Sequence, residues 1–417
     1  MAYKINSFFA GIGGFDLAFK NKGFVTRYLC EINPFCNQIL ERHWVNVQKK
    51  DDINTITPKD IPLADVWCGG FPCQDISLAR GASKRLGLKG ARSGLFHKFS
   101  ELIEVCLPQV IVIENVGGLF TSNEGRDFGV ILQTLSSLNY GIAWRLLNSR
   151  YFGVPQSRTR VYLCCWHNNP TKALKVMFDK DGAAKQKNER KAFITVDGNI
   201  DTYPIVPQVA YCLAASSGRH TGTDWSRTYV VTENGVRRLS PIESERLQGF
   251  PDNWTLPLNI NDSSENIDTL RYTAIGNAVS VPVVEWIASR IKNEMNDDAA
   301  MECIDSLIGN YKDFQKQEWA ESDIRTIDFT DLSNKHKWAR GGIVWKGKYM
   351  ECNAFPAPNK IINSTLASII EKNQNSSRYY ITPNAAEGIL RRVDNQRRTL
   401  FQPLRDALEK LSIQNIK

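Results

Sequence analysis

Ala64-Asp65-Val66-Trp67-Cys68-Gly69-Gly70-Phe71-Pro72-Cys73-Gln74 joins a short, mostly apolar run to two glycines, a proline and a cysteine. The apolar run reads as a buried strand, and the polar passage after it, rich in Gly, Lys and Arg, reads as a loop. Two glycines permit unusual dihedrals or close approach and Pro72 fixes the backbone, so Cys73 would be displayed at a strand end. A nucleophile suits that place. A core cysteine in a turn suits the same residues, because free cysteines are usually buried and inert. This window alone leaves both readings open.

Other strand ends point the same way. Gln109-Val110-Ile111-Val112-Ile113 is the clearest buried parallel strand and terminates in Glu114-Asn115-Val116. Near the start, Ile5-Asn6-Ser7-Phe8-Phe9 leads into Ala10-Gly11-Ile12-Gly13-Gly14 and then into helical spacing. Strand, glycine turn and helix start make a cofactor-binding corner that favours an anionic or polar group. The pattern is G-x-G-G rather than G-x-G-x-x-G, and no Gly-Lys-Ser/Thr follows, so pyrophosphate is not the best match. The second strand, Val25 to Cys30, ends at Glu31, well placed for a ribose diol or equally an ordinary surface carboxylate. Asp52 could accept an adenine amine with Ile53 against the ring, although Asp51 could fill that place. Gly11, Glu31, Cys73 and Glu114 would thus share one carboxyl edge of an α/β, Rossmann-like, mostly parallel sheet, where functional groups of open α/β folds collect.

Composition narrows the class. The 417 residues, 42% hydrophobic, suffice for a full core and two or three domains. No run approaches 18 apolar residues and the chain enters a strand-like segment almost at once, so neither a membrane span nor a signal peptide is expected and a cytoplasmic location is. The 10 cysteines include no CxxC pair, which favours reduced thiols, and the 5 widely spaced histidines argue against a metal site. A net charge of +8 favours a polyanionic partner. Between Asp75 and Arg92, three glycines are interleaved with Arg80, Lys84, Arg85, Lys89 and Arg92, suiting a loop that contacts phosphates. Further on, Gln156-Ser157-Arg158-Thr159-Arg160 enters a strand. Arg158 and Arg160 project to the same side if the segment is extended.

Taken in order, Phe9-Ala10-Gly11-Ile12-Gly13-Gly14, Gly70-Phe71-Pro72-Cys73-Gln74, Glu114-Asn115-Val116 and the Gln156 to Arg160 block resemble the DNA (cytosine-5)-methyltransferases. Arg238-Leu239-Ser240-Pro241, continuing through Gln248-Gly249-Phe250-Pro251, and Ala274-Ile275-Gly276-Asn277-Ala278-Val279 agree. The resemblance covers about residues 4 to 295 and extends to restriction-modification and phage-borne members. It implies a Rossmann-like S-adenosylmethionine-dependent fold with a small target-recognition domain. Cys73 is then the nucleophile that adds to carbon 6 of a flipped cytosine, Glu114 the partner of ring nitrogen 3 and the exocyclic amine, Arg160 the contact to oxygen 2, and Arg158 its support. Phe9, Gly11, Gly13, Gly14, Glu31, Asp52, Ile53 and Asn277 would form the donor pocket, with S-adenosylhomocysteine as product and no metal.

The implied organisation is a catalytic and cofactor-binding domain over residues 1–167, a target-recognition segment over 168–236, a return to the catalytic domain over 237–298, and a C-terminal extension over 299–417. That extension mixes aromatics with Lys335, Lys337, Arg340, Arg391, Arg392, Arg397 and Arg398, which fits either nucleic-acid binding or a packing and dimerising appendage. Duplex DNA is the expected partner, with a cognate restriction endonuclease as a second, and whether the chain is monomer or dimer stays open. A tRNA cytosine-5 methyltransferase is the enzymatic alternative. A catalytically silent nucleic-acid-binding regulator is the non-enzymatic one, disfavoured because a binder would not need this set of residues together.

Overall fold

Continuous apolar strands dictate a sheet covered on both faces, and that is the architecture found. The structure, a computed structural model, describes residues 2–71, 94–185, 193–195, 203–217, 226–258, 264–297, 308–315, 325–326, 336–372 and 376–413. They divide into two units. The first holds residues 1–148, 159–185 and 283–361, and the second holds 149–158, 186–282 and 362–417. Among the described residues no helix is long and apolar enough to cross a membrane.

In the first unit, β1 (Lys4–Phe8), β2 (Val25–Cys30), β3 (Gln48–Lys50), β4 (Val66–Gly69) and β5 (Val110–Val116) are joined as parallel neighbours in the order β5-β4-β1-β2-β3. Val110, Ile111, Val112 and Ile113 are all fully buried. Helices α1 (Gly14–Asn21), α2 (Pro34–His43) and α3 (Gly94–Cys106) return the chain between these strands. Asn33 caps α2 by accepting from Cys36 N at 3.1 Å, just before the helix-starting Pro34. Beyond β5, α4 (Arg126–Ser137) leads into β6 (Tyr140–Asn148), β7 (Thr159–His167) and α5 (Pro170–Met177), and these two strands pair antiparallel, so the whole sheet is mixed and its parallel half carries the expected edge.

The antiparallel half is completed from far along the chain. After β8 (Phe193–Thr195), β9 (Ile205–Pro207), β10 (Tyr229–Thr232) and β11 (Gly235–Arg238), which form the second unit's small sheet, come β12 (Arg325–Thr326), β13 (Gly341–Trp345) and β14 (Lys348–Cys352). β13 pairs with β6, and β12 to β14 close that edge. Two contacts explain why this distant hairpin belongs there. Arg145 on β6 has no exposed surface, and its guanidinium donates to the carbonyls of Met177 at 2.9 Å, Phe355 at 3.3 Å and Ala357. Trp338 packs edge-on against Phe128 and Trp144 and donates to Gly125 O at 2.7 Å. Trp338→Ala is expected to cost about 3–5 kcal/mol, read as a lower urea midpoint with unchanged m-value.

The second unit also contains α6 (Pro241–Gln248) and α7 (Ser264–Asn277), and α8 (Val281–Met295) leads back into the first. Arg237 and Glu243, both buried, form a two-pronged pair at 2.9 and 2.7 Å, and Glu243 also completes a capping box with Ser240 at the start of α6. Burying such a pair is tolerable because every charged oxygen is matched: Glu371 N donates to the same carboxylate at 2.9 Å.

Candidate active site at the carboxyl edge of the parallel strands

Strand register builds this site. Phe8 pairs with Cys30 and with Gly69, and Gly69 pairs with Ile113. One residue further along each strand therefore come Phe9, Glu31, Gly70 and Glu114, level with one another across four neighbouring strands about 4.8 Å apart. A Cβ built on Gly70 would stand 3.6 Å from Glu114 Oε2 and from its carbonyl oxygen. The chain leaving β4 thus passes directly beside the Glu114 carboxylate. Cys73, three residues on, lies outside the described residues, as does the basic stretch from Asp75 to Arg92.

Glu114 is met by Arg160, whose Nε lies 3.1 Å from Oε1, with side chains only 12% and 16% exposed. The antiparallel pairing sets Glu114 opposite Tyr162 and Val116 opposite Arg160, so the two charged residues are diagonal neighbours on one face of the β5–β7 ladder. Arg160 also donates from Nη1 to Thr159 O at 2.8 Å. A half-sequestered carboxylate beside a fixed guanidinium can bind the edge of a planar amidine-like ring and stabilise charge developing on it.

At the other end of the row, three left-handed residues make the turn after β1: Phe9 at φ 54°, Gly11 at 56° and Gly13 at 78°. Gly13 is required twice over, because a Cβ there would lie 2.4 Å from the Trp44 ring. A Cβ on Gly11 would meet nothing within 4 Å, so space opens beside this turn. Glu31 faces it. Its Oε2 accepts from Gly11 N at 2.7 Å and its Oε1 from Asn33 N at 2.8 Å. Burial pushes the Glu31 carboxyl above its ordinary range, opposed by these main-chain donors. Each oxygen keeps a second lone pair, suitable for a ribose hydroxyl. Asp52 caps a short turn through Oδ1, which accepts from Asn54 N at 2.9 Å, leaving Oδ2 for an amine, while Asp51 instead accepts from Asn37 Nδ2 at 3.1 Å. Ile53 is 3% exposed within the core that includes Phe8, Tyr28 and Phe71. Open space, an anchored carboxylate and a free acceptor oxygen fit an adenosyl group.

Two further predicted residues belong to the second unit. Arg158 immediately precedes β7. It is buried and donates to the carbonyls of Leu213 at 2.9 Å, Ala278 at 2.8 Å and Gly276 at 3.2 Å. Asn277, at the exposed end of α7, sits between two of those carbonyls. Gly276 permits this arrangement because a side chain would run into the Ala214 backbone at 2.4 Å. Gln156, quoted in the motif without a role, accepts from Leu213 N and donates to Leu247 O, both at 2.9 Å.

Asp16 was missed. It lies on the otherwise apolar buried face of α1, accepts from Thr26 Oγ at 3.0 Å, and is fully buried. An acid inside the Phe15 to Phe19 run is the sequence signal that could have found it. Burial lifts its carboxyl from 3.8 to about 7, partly offset by the Ser7 and Thr26 hydroxyls. The folded state therefore holds this proton more tightly than the unfolded state. Its contribution to stability is full below pH 3.8 and is lost as pH rises to about 7, by roughly 4 kcal/mol in all. Asp16→Asn is expected to flatten stability across that window, as measured by denaturant unfolding at pH 4.5, 6 and 7.5.

The buried thiols are chemically quiet. Cys36, Cys68, Cys164 and Cys165 are all pushed up by burial, and Cys30 and Cys352 are raised to about 12.

Comparison with known proteins agrees with this geometry. A model of the C-5 cytosine-specific DNA methylase family matches residues 3–203 and 186–293. Type II methyltransferase M2.BsuMI of Bacillus subtilis is 32% identical over 304 residues, covering 69% of this chain and 75% of the relative. Type II methyltransferase M.HaeII of Haemophilus aegyptius is 33% identical over 326 residues, with 70% and 94% covered. The S. pombe Dnmt2 methyltransferase crystal structure, at 20% identity, gives a TM-score of 0.52 over 71% of this chain and 100% of that one, a likeness of fold. The chain belongs to the C-5 cytosine-specific DNA methylases and is an S-adenosylmethionine-dependent C5-cytosine methyltransferase working through a covalent cysteine adduct.

Proposed function

We propose that the chain methylates carbon 5 of a cytosine flipped out of duplex DNA at a specific sequence. The observation that carries this reading is the Glu114–Arg160 pair beside the chain that leaves Gly70 for Cys73. Carbon 5 of cytosine is a poor nucleophile. Attack of the Cys73 thiolate on carbon 6 breaks the 5,6 double bond and leaves an enamine whose carbon 5 can take a methyl group. Glu114 binds the exocyclic amine and ring nitrogen 3, lowering the charge that builds as sulfur adds. Arg160 holds Glu114 and donates to oxygen 2. S-adenosylmethionine, when bound, supplies the electrophilic methyl on its sulfonium. Glu31 orients its ribose, Asp52 accepts from its adenine amine, and the turn from Phe9 through Gly11, Gly13 and Gly14 leaves room for it. Removal of the carbon 5 proton, for which water is available, then restores the double bond as the thiolate departs.

A buried carbon in a base pair requires that the nucleotide leave the stack. We assign catalysis and donor binding to residues 1–167 and 237–298, with Arg158 holding the Asn277 segment in place, and target recognition to 168–236. The likeness to Type II methyltransferases supports a cognate restriction endonuclease as partner.

Incubation with methyl-labelled S-adenosylmethionine is expected to label duplex DNA at carbon 5 of cytosine and to leave tRNA unlabelled. Label in tRNA alone would replace the DNA reading, and methylation-sensitive sequencing of the product would give the site.

A further inference from the structure

Residues 376–413 of the second unit are docked onto its small sheet and carry exposed charged residues. β10 and β11 supply Tyr229, Val231 and Val236 to a core whose other half comes from Ile389, Val393 and Leu404 on the helices Pro383–Asn395 and Gln402–Ser412, among others. Ile381 N donates to Val236 O at 2.8 Å, and Tyr380 bridges to Arg237, so the chain entering the helix pair continues from the sheet edge. The helices are clasped by Arg405, which pairs with Asp394 at 2.9 Å and with Glu409 at 2.8 Å. Their apolar faces and two of their acids are thereby spent inside the unit.

Arg391, Arg397 and Arg398 are all exposed and all fall within eight residues. Arg391 sits in the last turns of its helix, where a cation also answers the helix dipole. That explanation does not reach Arg397 and Arg398, which lie past the helix end at Asn395, Arg397 itself at a left-handed φ of 51° in the connecting turn. A packed helix end and the turn after it, together bearing three exposed arginines, are suited to phosphates, since the arginine fork matches phosphate oxygens.

We propose that this helix pair is a duplex-DNA backbone contact of the second unit, with Arg391, Arg397 and Arg398 taking phosphates and leaving sequence reading to other residues. The proposal rests on the duplex-DNA reading above. Phosphate contacts fix register and orientation without carrying sequence information. Their loss should weaken all duplexes alike.

The test compares the full-length chain with its R391A/R397A/R398A variant by fluorescence anisotropy on target and non-target duplexes across a salt series. The slope of log K against log salt is expected to shrink by about 2 to 3. Affinity should fall at least tenfold for both duplexes, with kcat at saturating DNA unchanged. A variant whose slope and affinity equal those of a parent that binds and methylates DNA would overturn this proposal alone. A parent that neither binds nor methylates duplex DNA would overturn the reading beneath it. Sedimentation velocity supplies a further arm: a dimer that the triple substitution converts to monomer would make this face a contact between two copies and overturn the DNA assignment.

Discussion

Cys73→Ser is expected to lower methyl transfer by on the order of 10⁴- to 10⁶-fold, the scale seen when a nucleophile acting as part of a catalytic unit is removed. A thiol is partly ionised near neutral pH and strongly nucleophilic, whereas a serine hydroxyl is a weak nucleophile that depends on a general base. Among the described thiols, burial holds Cys30, Cys68 and Cys164 protonated, so they make poor substitutes. Donor and DNA affinities should change little, since the substitution keeps size and shape. Single-turnover transfer, paired with separate binding titrations, checks both halves. Turnover within tenfold of the parent would remove Cys73 from the reaction.

Glu114→Gln is expected to lower the single-turnover rate by about 10²- to 10⁴-fold with S-adenosylmethionine affinity unchanged. Glutamine preserves the shape of the side chain but cannot neutralise charge on the cytosine ring. It also removes the carboxylate 3.1 Å from Arg160, which is 16% exposed. A stability loss of about 1–3 kcal/mol should follow from the lost ion pair. The two effects separate by measurement. A folded variant at a temperature well below its midpoint still shows the rate defect if Glu114 acts on the ring, and regains the parent rate if its only task is to hold Arg160.

The parallel half of the fold was legible because its signals are local. Val110 to Ile113 reads as a strand buried on both faces, and each strand of the row presents, near its carboxyl end, a residue whose type announces chemistry: Phe9 before glycines, Glu31, Gly70, Glu114. Parallel register then brings those ends level without further information. Arg158 and Arg160 illustrate where period-two reasoning stops. Alternation says which way a side chain can project and not what it meets: Arg158 is held by the carbonyls of Leu213, Gly276 and Ala278, whereas Arg160 pairs with Glu114. The β13–β14 hairpin was illegible for a different reason. What places it beside β6 is the fit of Gly342 against the Trp144 ring, where a Cβ would approach to 2.2 Å, and nothing near either residue in sequence announces the other. Asp16 was hidden by its apolar neighbours, which advertise a core helix and not the acid within it.

The late hairpin has a consequence for how the enzyme is made. Trp144 Nε1 donates to Ala339 O across 195 residues, and Arg145 reaches Ala357 across 212. During synthesis β6 therefore waits as an open edge until four-fifths of the polypeptide has emerged. A nine-residue, almost wholly buried strand left open along one edge for that interval is a template for joining the wrong chain. Nascent molecules on neighbouring ribosomes share this hazard, so the yield of active methyltransferase should depend on translation rate and crowding of its messenger more than on the stability of the finished fold.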